Sequence, residues 1–199
     1  MMNLAEYRDR QARLADFLPW VALAAPGIVL NKDGSFQRTA RFRGPDLDSA
    51  VPAELVAVAG RLNNAFRRLG SGWAIFVEAQ RHAAATYPNS TFPDSASALV
   101  DAERKADFEE AGSHFESGYF LTFTYLPPAE DAARAETWLY EGREKTGIDP
   151  HEVMAGFADR TDRLLRLVEA FMPECRWLDD GETLTYLHGC VSTHRHRVR

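Results

Sequence analysis

Alternation of apolar and polar residues marks the strands first. Tyr119, Leu121, Phe123 and Tyr125 alternate with Thr122 and Thr124, and Pro127-Pro128 ends the run. Trp73, Ile75 and Val77 alternate with Ala74, Phe76 and Glu78, which predicts a strand over 73–80. Gly27 to Leu30 and Phe36 to Arg43 are two β-prone runs joined by Asn31-Lys-Asp-Gly-Ser35. Asp-Gly between such runs predicts a hairpin, because Gly34 tolerates positive φ. In the second run Phe36, Ala40 and Phe42 share a face with Arg38, while Gln37, Thr39, Arg41 and Arg43 point the other way. A short strand is expected over 174–178.

Helical spacing takes over elsewhere. Residues 3–15 read as a short amphipathic helix carrying Leu4, Tyr7 and Leu14, and Pro19 blocks its continuation. Leu55, Ala59, Leu62, Phe66 and Leu69 form one stripe of a helix over 52–69, with Pro52 suited to its first turn. Residues 81–95 read as a loop, and a charged helix follows over 95–111. Residues 130–144 are weakly helical around Trp138, Leu139 and Tyr140. From Asp149-Pro150 a strong helix carries Val153, Met154, Phe157, Leu164, Leu165, Val168, Phe171 and Met172. A last helix is expected over 181–191, followed by a His–Arg tail.

The order hairpin, α, β, α, β, α, β, α predicts an α+β fold. Its expected sheet is mixed, with an antiparallel hairpin and β-α-β units that imply parallel pairings. Helices should pack mainly on one face, and part of the sheet should be ferredoxin-like. Residues 1–26 are expected to form an N-terminal helix and an apolar docking segment, and residues 27–199 the α+β domain.

Composition narrows the class. A chain of 199 residues with 45% apolar and 26% charged positions is an ordinary globular mixture and long enough for a sizeable core. Its net charge of −6 disfavours a strongly basic nucleic-acid binder. Two cysteines do not make a disulfide scaffold, so a reducing compartment is the default. The apolar stretch from Phe17 to Leu30 is broken by Pro19 and Pro26, whereas a membrane span needs about 20 apolar residues. Glu6, Asp9 and Asp16 around it speak against a signal peptide.

The chemical motifs are mostly negative. No lysine follows a glycine, so the Gly-Lys of a phosphate-binding loop is missing and no cofactor is expected on this chain. No Gly-x-Ser-x-Gly elbow occurs. His188, Cys190, His194 and His196, with Cys175 upstream, are the densest potential metal ligands, but their spacing matches no zinc module. The bland reading makes Cys190 a buried helix residue and the histidines part of an exposed tail. Asp179-Asp180 reads as a solvated helix end. Arg38, Arg41 and Arg43, then Arg67 and Arg68, then Arg195, Arg197 and Arg199, are the residues a nucleic-acid face would use, with Phe36 and Phe42 to stack on bases.

Longer strings carry a resemblance. Leu14-Ala-Asp-Phe-Leu-Pro-Trp20, Gly27-Ile-Val-Leu-Asn-Lys-Asp-Gly-Ser-Phe36 and Arg41-Phe-Arg-Gly-Pro-Asp-Leu47 resemble the amino-terminal region of the CagE/TrbE/VirB family of conjugal-transfer ATPases. So do Arg61-Leu-Asn-Asn64, Gly70-Ser-Gly-Trp73, Phe108-Glu-Glu-Ala-Gly112, Tyr125-Leu-Pro-Pro128 and Tyr186-Leu-His188. The resemblance implies a type IV secretion component, cytoplasmic and peripheral at the bacterial inner membrane. Full-length relatives bind ATP and magnesium in a core that lies after the matched region, and that core is expected to be absent here. What remains is assembly: docking to inner-membrane secretion components and to other copies of the ATPase. A nucleic-acid module for transfer DNA is the alternative, and a metalloenzyme built on the histidine–cysteine cluster a third reading.

Two docking surfaces are expected. One is the apolar segment Phe17, Leu18, Trp20 and Val21 on an irregular stretch, since a Trp at an apolar boundary suits a partner groove. The other is Arg41 and Arg43 on the hairpin, which at a sheet edge would accept a partner's strand.

Overall fold

A computed structural model describes residues 13–84, 86–112, 114–128, 150–194 and 196–198. Most of the expected first helix, all of the weak helix over 130–144, and Arg195 and Arg199 lie outside the described residues. The elements are α1 (Leu14–Phe17), β1 (Trp20–Ala25), β2 (Ile28–Asn31), β3 (Phe36–Arg43), α2 (Pro52–Phe66) and β4 (Trp73–Ala83). They continue with α3 (Ser95–Glu110), β5 (Phe115–Tyr125), α4 (Pro150–Glu169), β6 (Glu174–Trp177) and α5 (Asp180–Val191).

β3 organises the sheet. It pairs with β5 from Phe36↔Tyr125 to Phe42↔Tyr119. On its other edge it pairs first with β2, Ile28↔Arg38 to Leu30↔Phe36, and then with β6, Ala40↔Trp177 to Arg43↔Glu174. β1 lies outside β2, and β4 outside β5. Every one of these pairings is antiparallel, which corrects the expectation of parallel neighbours. The β3–α2–β4 unit is real, but β5 inserts between its strands. β3 and β4 therefore run parallel only through a shared antiparallel neighbour. The order β6-β3-β5-β4, with α2 and α4 as the crossovers, is the ferredoxin-like part of an α+β fold.

The alternation read along β3 holds. Phe36, Ala40 and Phe42 face α2 and α4 in clusters with Phe157, Leu164, Leu165, Val168 and Ala65. Phe157 is only 1% exposed and packs between Ile28, Leu30 and Phe36, with Trp73 stacked on it at 5.6 Å between ring centroids. The opposite face is also covered, by α5: Val29 and Phe120 pack with Leu178, Tyr186 and Leu187. Helices on mainly one face thus describes α2 and α4, while α5 takes the other. β2 accordingly is buried at all four positions.

Arg38 sits among the apolar residues of the α4 face with a carboxylate, a hydroxyl and an aromatic ring around its guanidinium, while its Nε is buried without a hydrogen-bond partner. Its Nη1 donates to Asp162 Oδ1 at 2.7 Å and to Thr161 Oγ1 at 3.3 Å. The guanidinium lies 4.1 Å from the Trp177 ring centre, and Trp177 Nε1 donates to the same Asp162 oxygen at 2.7 Å. One carboxylate thereby ties β3, β6 and α4 together.

β4 and β5 extend beyond β3 as a two-stranded ribbon. Residues 81–83, expected in a loop, are strand because Arg81, His82 and Ala83 pair with Ser117, Glu116 and Phe115. His82 Nε2 and Glu116 Oε1 are 2.7 Å apart across that ribbon. α3 buries no side chain and is held near the ribbon's tip by Tyr87 and by the Phe108–His114 stack.

Phe157→Ala is expected to lower the unfolding free energy by about 3–5 kcal/mol, since it opens a cavity beneath α4. Leu99→Ala on the exposed face of α3 should stay within about 0.5 kcal/mol of the parent. Urea unfolding followed by Trp fluorescence reads both, and similar losses for the two variants would contradict the assigned core.

Candidate functional site

The apolar segment expected to dock is more ordered than its two prolines suggest. Phe17 ends α1, and Lys32 Nζ donates to the Ala15 and Asp16 carbonyls at 2.7 and 3.1 Å, pinning that short helix to the hairpin turn. Lys32 N donates to Pro19 O at 2.7 Å, and β1 starts at the next residue. The stretch expected to be irregular is therefore partly an edge strand. Its register against β2 shifts twice, between Trp20 and Ala22 and between Leu23 and Ala25. Trp20 turns inward and packs on the α5 cluster, half-buried. Phe17 stays outside, 74% exposed; Leu18 is half-buried and Val21 is exposed.

The turn after β1 fixes α5. Gly27 has φ 66° and its amide donates to Asp180 Oδ1 at 2.7 Å. A Cβ there would stand 2.6 Å from the Leu178 carbonyl oxygen, so backbone meets backbone and only glycine fits. Asp179 caps α5, accepting from Glu182 N at 2.7 Å, and Glu182 Oε2 accepts from Asp179 N at 3.1 Å. The Asp179-Asp180 pair, read as a solvated end, is thus one helix cap and one anchor for the β1–β2 turn. Arg176 grips Glu182 with two bonds of 2.7 Å, and this guanidinium holds the carboxyl down at about 2.

Arg41 lines a cavity of about 440 Å³ beneath α5, together with Gln80, Phe120, Glu182, Tyr186 and Arg197. Arg43 is exposed on the same face of β3. Arg41 does not lie on a sheet edge, being paired with Phe120 on one side and Arg176 on the other, while Arg43 is paired with Glu174 of β6. This corrects the expectation of strand addition at Arg41, and the open edges among the described residues are those of β1, β4 and the short β6. Phe120, Leu178 and Tyr186 both line the Arg41 cavity and pack with Trp20. The structure therefore places Trp20 and Arg41 around one α5-covered wall, and Phe17 and Val21 outside it.

The arginines of the nucleic-acid reading do not form one face. Arg38 is engaged with Asp162 on the α4 side, Arg41 and Arg43 lie on the α5 side, and Arg68 lines a groove between α2 and α4. Phe36 and Phe42 are packed in the core clusters. Cys190 is exposed rather than buried, at the end of α5. Its Sγ is 3.8 Å from Glu78 Oε2, and partial burial with that carboxylate pushes the thiol up to about 11. Cys175 is likewise pushed up to about 11, chiefly by burial. Both thiols stay protonated at neutral pH, the wrong state for nucleophiles. The rings of His188 and His196 meet at 4.1 Å, but among the described residues no three His, Cys, Asp or Glu side chains are grouped to hold a metal.

Sequence reasoning missed a buried polar chain under α5. Thr39 and Thr122 hydroxyls are 2.9 Å apart, Tyr186 OH is 3.3 Å from Thr122, and it donates to Glu78 Oε2 at 2.8 Å. Burial raises the Tyr186 hydroxyl's pKa, and Glu78 adds to the shift. The alternation puts Thr39 and Thr122 on the polar faces of their strands, and nothing in it points to a helix covering that face, to Tyr186 or to Glu78.

The chain belongs to the family of type IV secretion system ATPase VirB4/TrbE N-terminal domains, whose model matches residues 27–133. Two curated relatives make the likeness specific. It is 34% identical over 216 aligned positions to the conjugal transfer protein TrbE of Rhizobium radiobacter, covering 100% of this chain and 26% of that protein. It is 39% identical over 146 positions to the first portion of a probable conjugal transfer protein TrbE of Sinorhizobium fredii (strain NBRC 101917 / NGR234), covering 72% of this chain and 98% of the relative. The chain thus spans about a quarter of the first relative's length and nearly all of the second's. Among the described residues no helix is long and apolar enough to cross a membrane.

The Arg176–Glu182 pair sets an acid dependence. Glu182 has a depressed folded pKa, so its contribution is present above its unfolded value near 4.5 and is lost as pH falls toward about 2. Thermal melts should show Glu182→Gln less stable than the parent at pH 6, with the difference shrinking across that window. A gap that stayed constant down to pH 2 would remove the pair from the account. The pair is half in solvent, so salt should reduce the gap as well.

Proposed function

We propose that this chain is an assembly and docking domain of a type IV secretion ATPase and hydrolyses no ATP itself. The observation that carries the reading is its membership of the N-terminal domain family, combined with an open strand edge at β1. Phe17 and Val21 offer apolar surface beside that edge, and Arg41 and Arg43 offer positive charge on the α5 side. An extended partner segment laid along β1 would gain main-chain hydrogen bonds from the edge and side-chain contacts from Phe17. Inner-membrane secretion components are the partners, which puts the domain at the cytoplasmic face of the inner membrane as a peripheral protein. Other copies of the ATPase are the second class of partner. ATP and magnesium belong to a core such as the longer relatives carry, and this chain's role is to position it.

Pull-down of inner-membrane secretion proteins by the purified chain tests the docking half. Arg41→Glu and the pair Phe17→Ala with Val21→Lys, all at exposed positions, should each weaken capture by about tenfold, a loss near 1.4 kcal/mol. Trp20→Ala should weaken it too, with some loss of stability because Trp20 packs on the core. Unchanged capture by folded variants would eliminate these surfaces. ATP turnover by the isolated chain above a mock-purified background would refute the non-catalytic half.

A further inference from the structure

Besides β1, the sheet has an open edge at β4, away from Phe17, Val21, Arg41 and Arg43. β4 is eleven residues long and pairs with β5 without a single register shift. Among the described residues nothing pairs with its outer edge. Edge strands are ordinarily guarded by bulges, prolines or charges. β1 is guarded in this way: two register shifts break it, and Pro19 and Pro26 bracket it. β4 has no proline and no bulge, and its first five residues, Trp73 to Val77, carry no charge. Phe76 and Val77 point to opposite faces of the sheet and are 57% and 68% exposed, although α5 reaches the neighbouring Glu78 through Tyr186.

We propose that β4 pairs with β4 of a second copy of this chain, antiparallel about a two-fold axis at Val77, to join two sheets into one. This rests on the self-assembly half of the proposed function and gives it a surface. The occupant follows from the strand's own pattern. Centred on Val77, the pairing sets Val77 against Val77, Ile75 against Ala79 and Trp73 against Arg81 on one face. On the other it sets Phe76 against Glu78 and Ala74 against Gln80. No like charges stand opposite each other, and the two most exposed apolar residues of the strand are covered. Centring the axis on Glu78 instead would oppose two carboxylates. Centring it on Ala79 would set Val77 against Arg81 and Phe76 against His82. The chain's net charge of −6 does not oppose the contact, because the strand itself holds one Glu and one Arg. A two-fold pair of this kind is closed, so it gives dimers rather than fibres.

Sedimentation velocity of the 199-residue chain from about 1 to 100 micromolar tests this. The parent should shift from monomer toward dimer. Val77→Lys, at an exposed position, should raise the dissociation constant by about tenfold or more with an unchanged circular dichroism spectrum and melting temperature. In a Cys190→Ser background, Val77→Cys should form an interchain disulfide on mild oxidation, whereas Leu99→Cys on the exposed face of α3 should not. A dimer that Val77→Lys leaves intact overturns the β4 surface and leaves self-assembly standing. A monomer across the whole range overturns both the surface and self-assembly, while docking to inner-membrane components is read separately by the pull-down, which does not involve Val77.

Discussion

The structure depends on β3 being paired along both of its edges, with its register held. Three strands take their positions from it, and a slip by one residue would exchange its two faces. Arg38 and Thr39 make that slip costly from opposite sides. Arg38 must meet Asp162 and Trp177 on the α4 side, and Thr39 must meet Thr122 on the α5 side. Removing either partner would strand a buried polar group, which is more expensive than the contact is favourable. Polar side chains on adjacent positions thus specify a register that the apolar residues alone would only favour.

α5 turns that central strand into a platform. Its first turn holds the β1–β2 turn through Asp180 and Gly27, and its middle reaches β4 through Tyr186 and Glu78. One helix therefore contacts the elements at both sides of the sheet. The cavity with Arg41 lies along the same helix, walled by Phe120 and Tyr186 at 4.8 Å between ring centroids. The C-terminal residues return across the helix as well, with Val198 N donating to Thr185 Oγ1 at 3.0 Å.

Much of this was legible because it rests on local periodicity. The Asp33-Gly34 hairpin, the inward face of β3, and the apolar positions of α4 at Phe157, Leu164, Leu165 and Val168 all follow from spacing within a single element. Strand neighbours did not follow, because they depend on where a connection lands. A β-α-β segment gives parallel neighbours only if no later strand inserts, and β5 does insert. β1 was hidden by Pro19, Pro26 and three alanines, since alanine lacks the branched or aromatic side chain that ordinarily signals a strand. Of the candidate surface, the exposed Phe17 and Val21 were legible. Trp20 was only half so, since the property that suits it to a partner's groove also suits it to the protein's own core. The Thr39–Thr122–Tyr186–Glu78 chain joins residues up to 147 positions apart (Tyr186 minus Thr39), and no single-sequence pattern reports such a meeting.

The two longer open edges among the described residues, β1 and β4, differ in what they permit. A bulged strand twists away from a flat neighbour, so β1 presents only short runs of correctly spaced amides and carbonyls. A partner there must rely on side chains such as Phe17 as much as on main-chain bonds, which favours a specific segment over any available strand. β4 presents an unbroken row in which main-chain bonding needs little help from side chains. Discrimination at β4 must then come from the few residues that stand opposite one another. Glu78 contributes most, because one register sets it against its own copy and others do not. On such an edge, the charges that remain on the strand act less as solubilising groups than as selectors of register and partner.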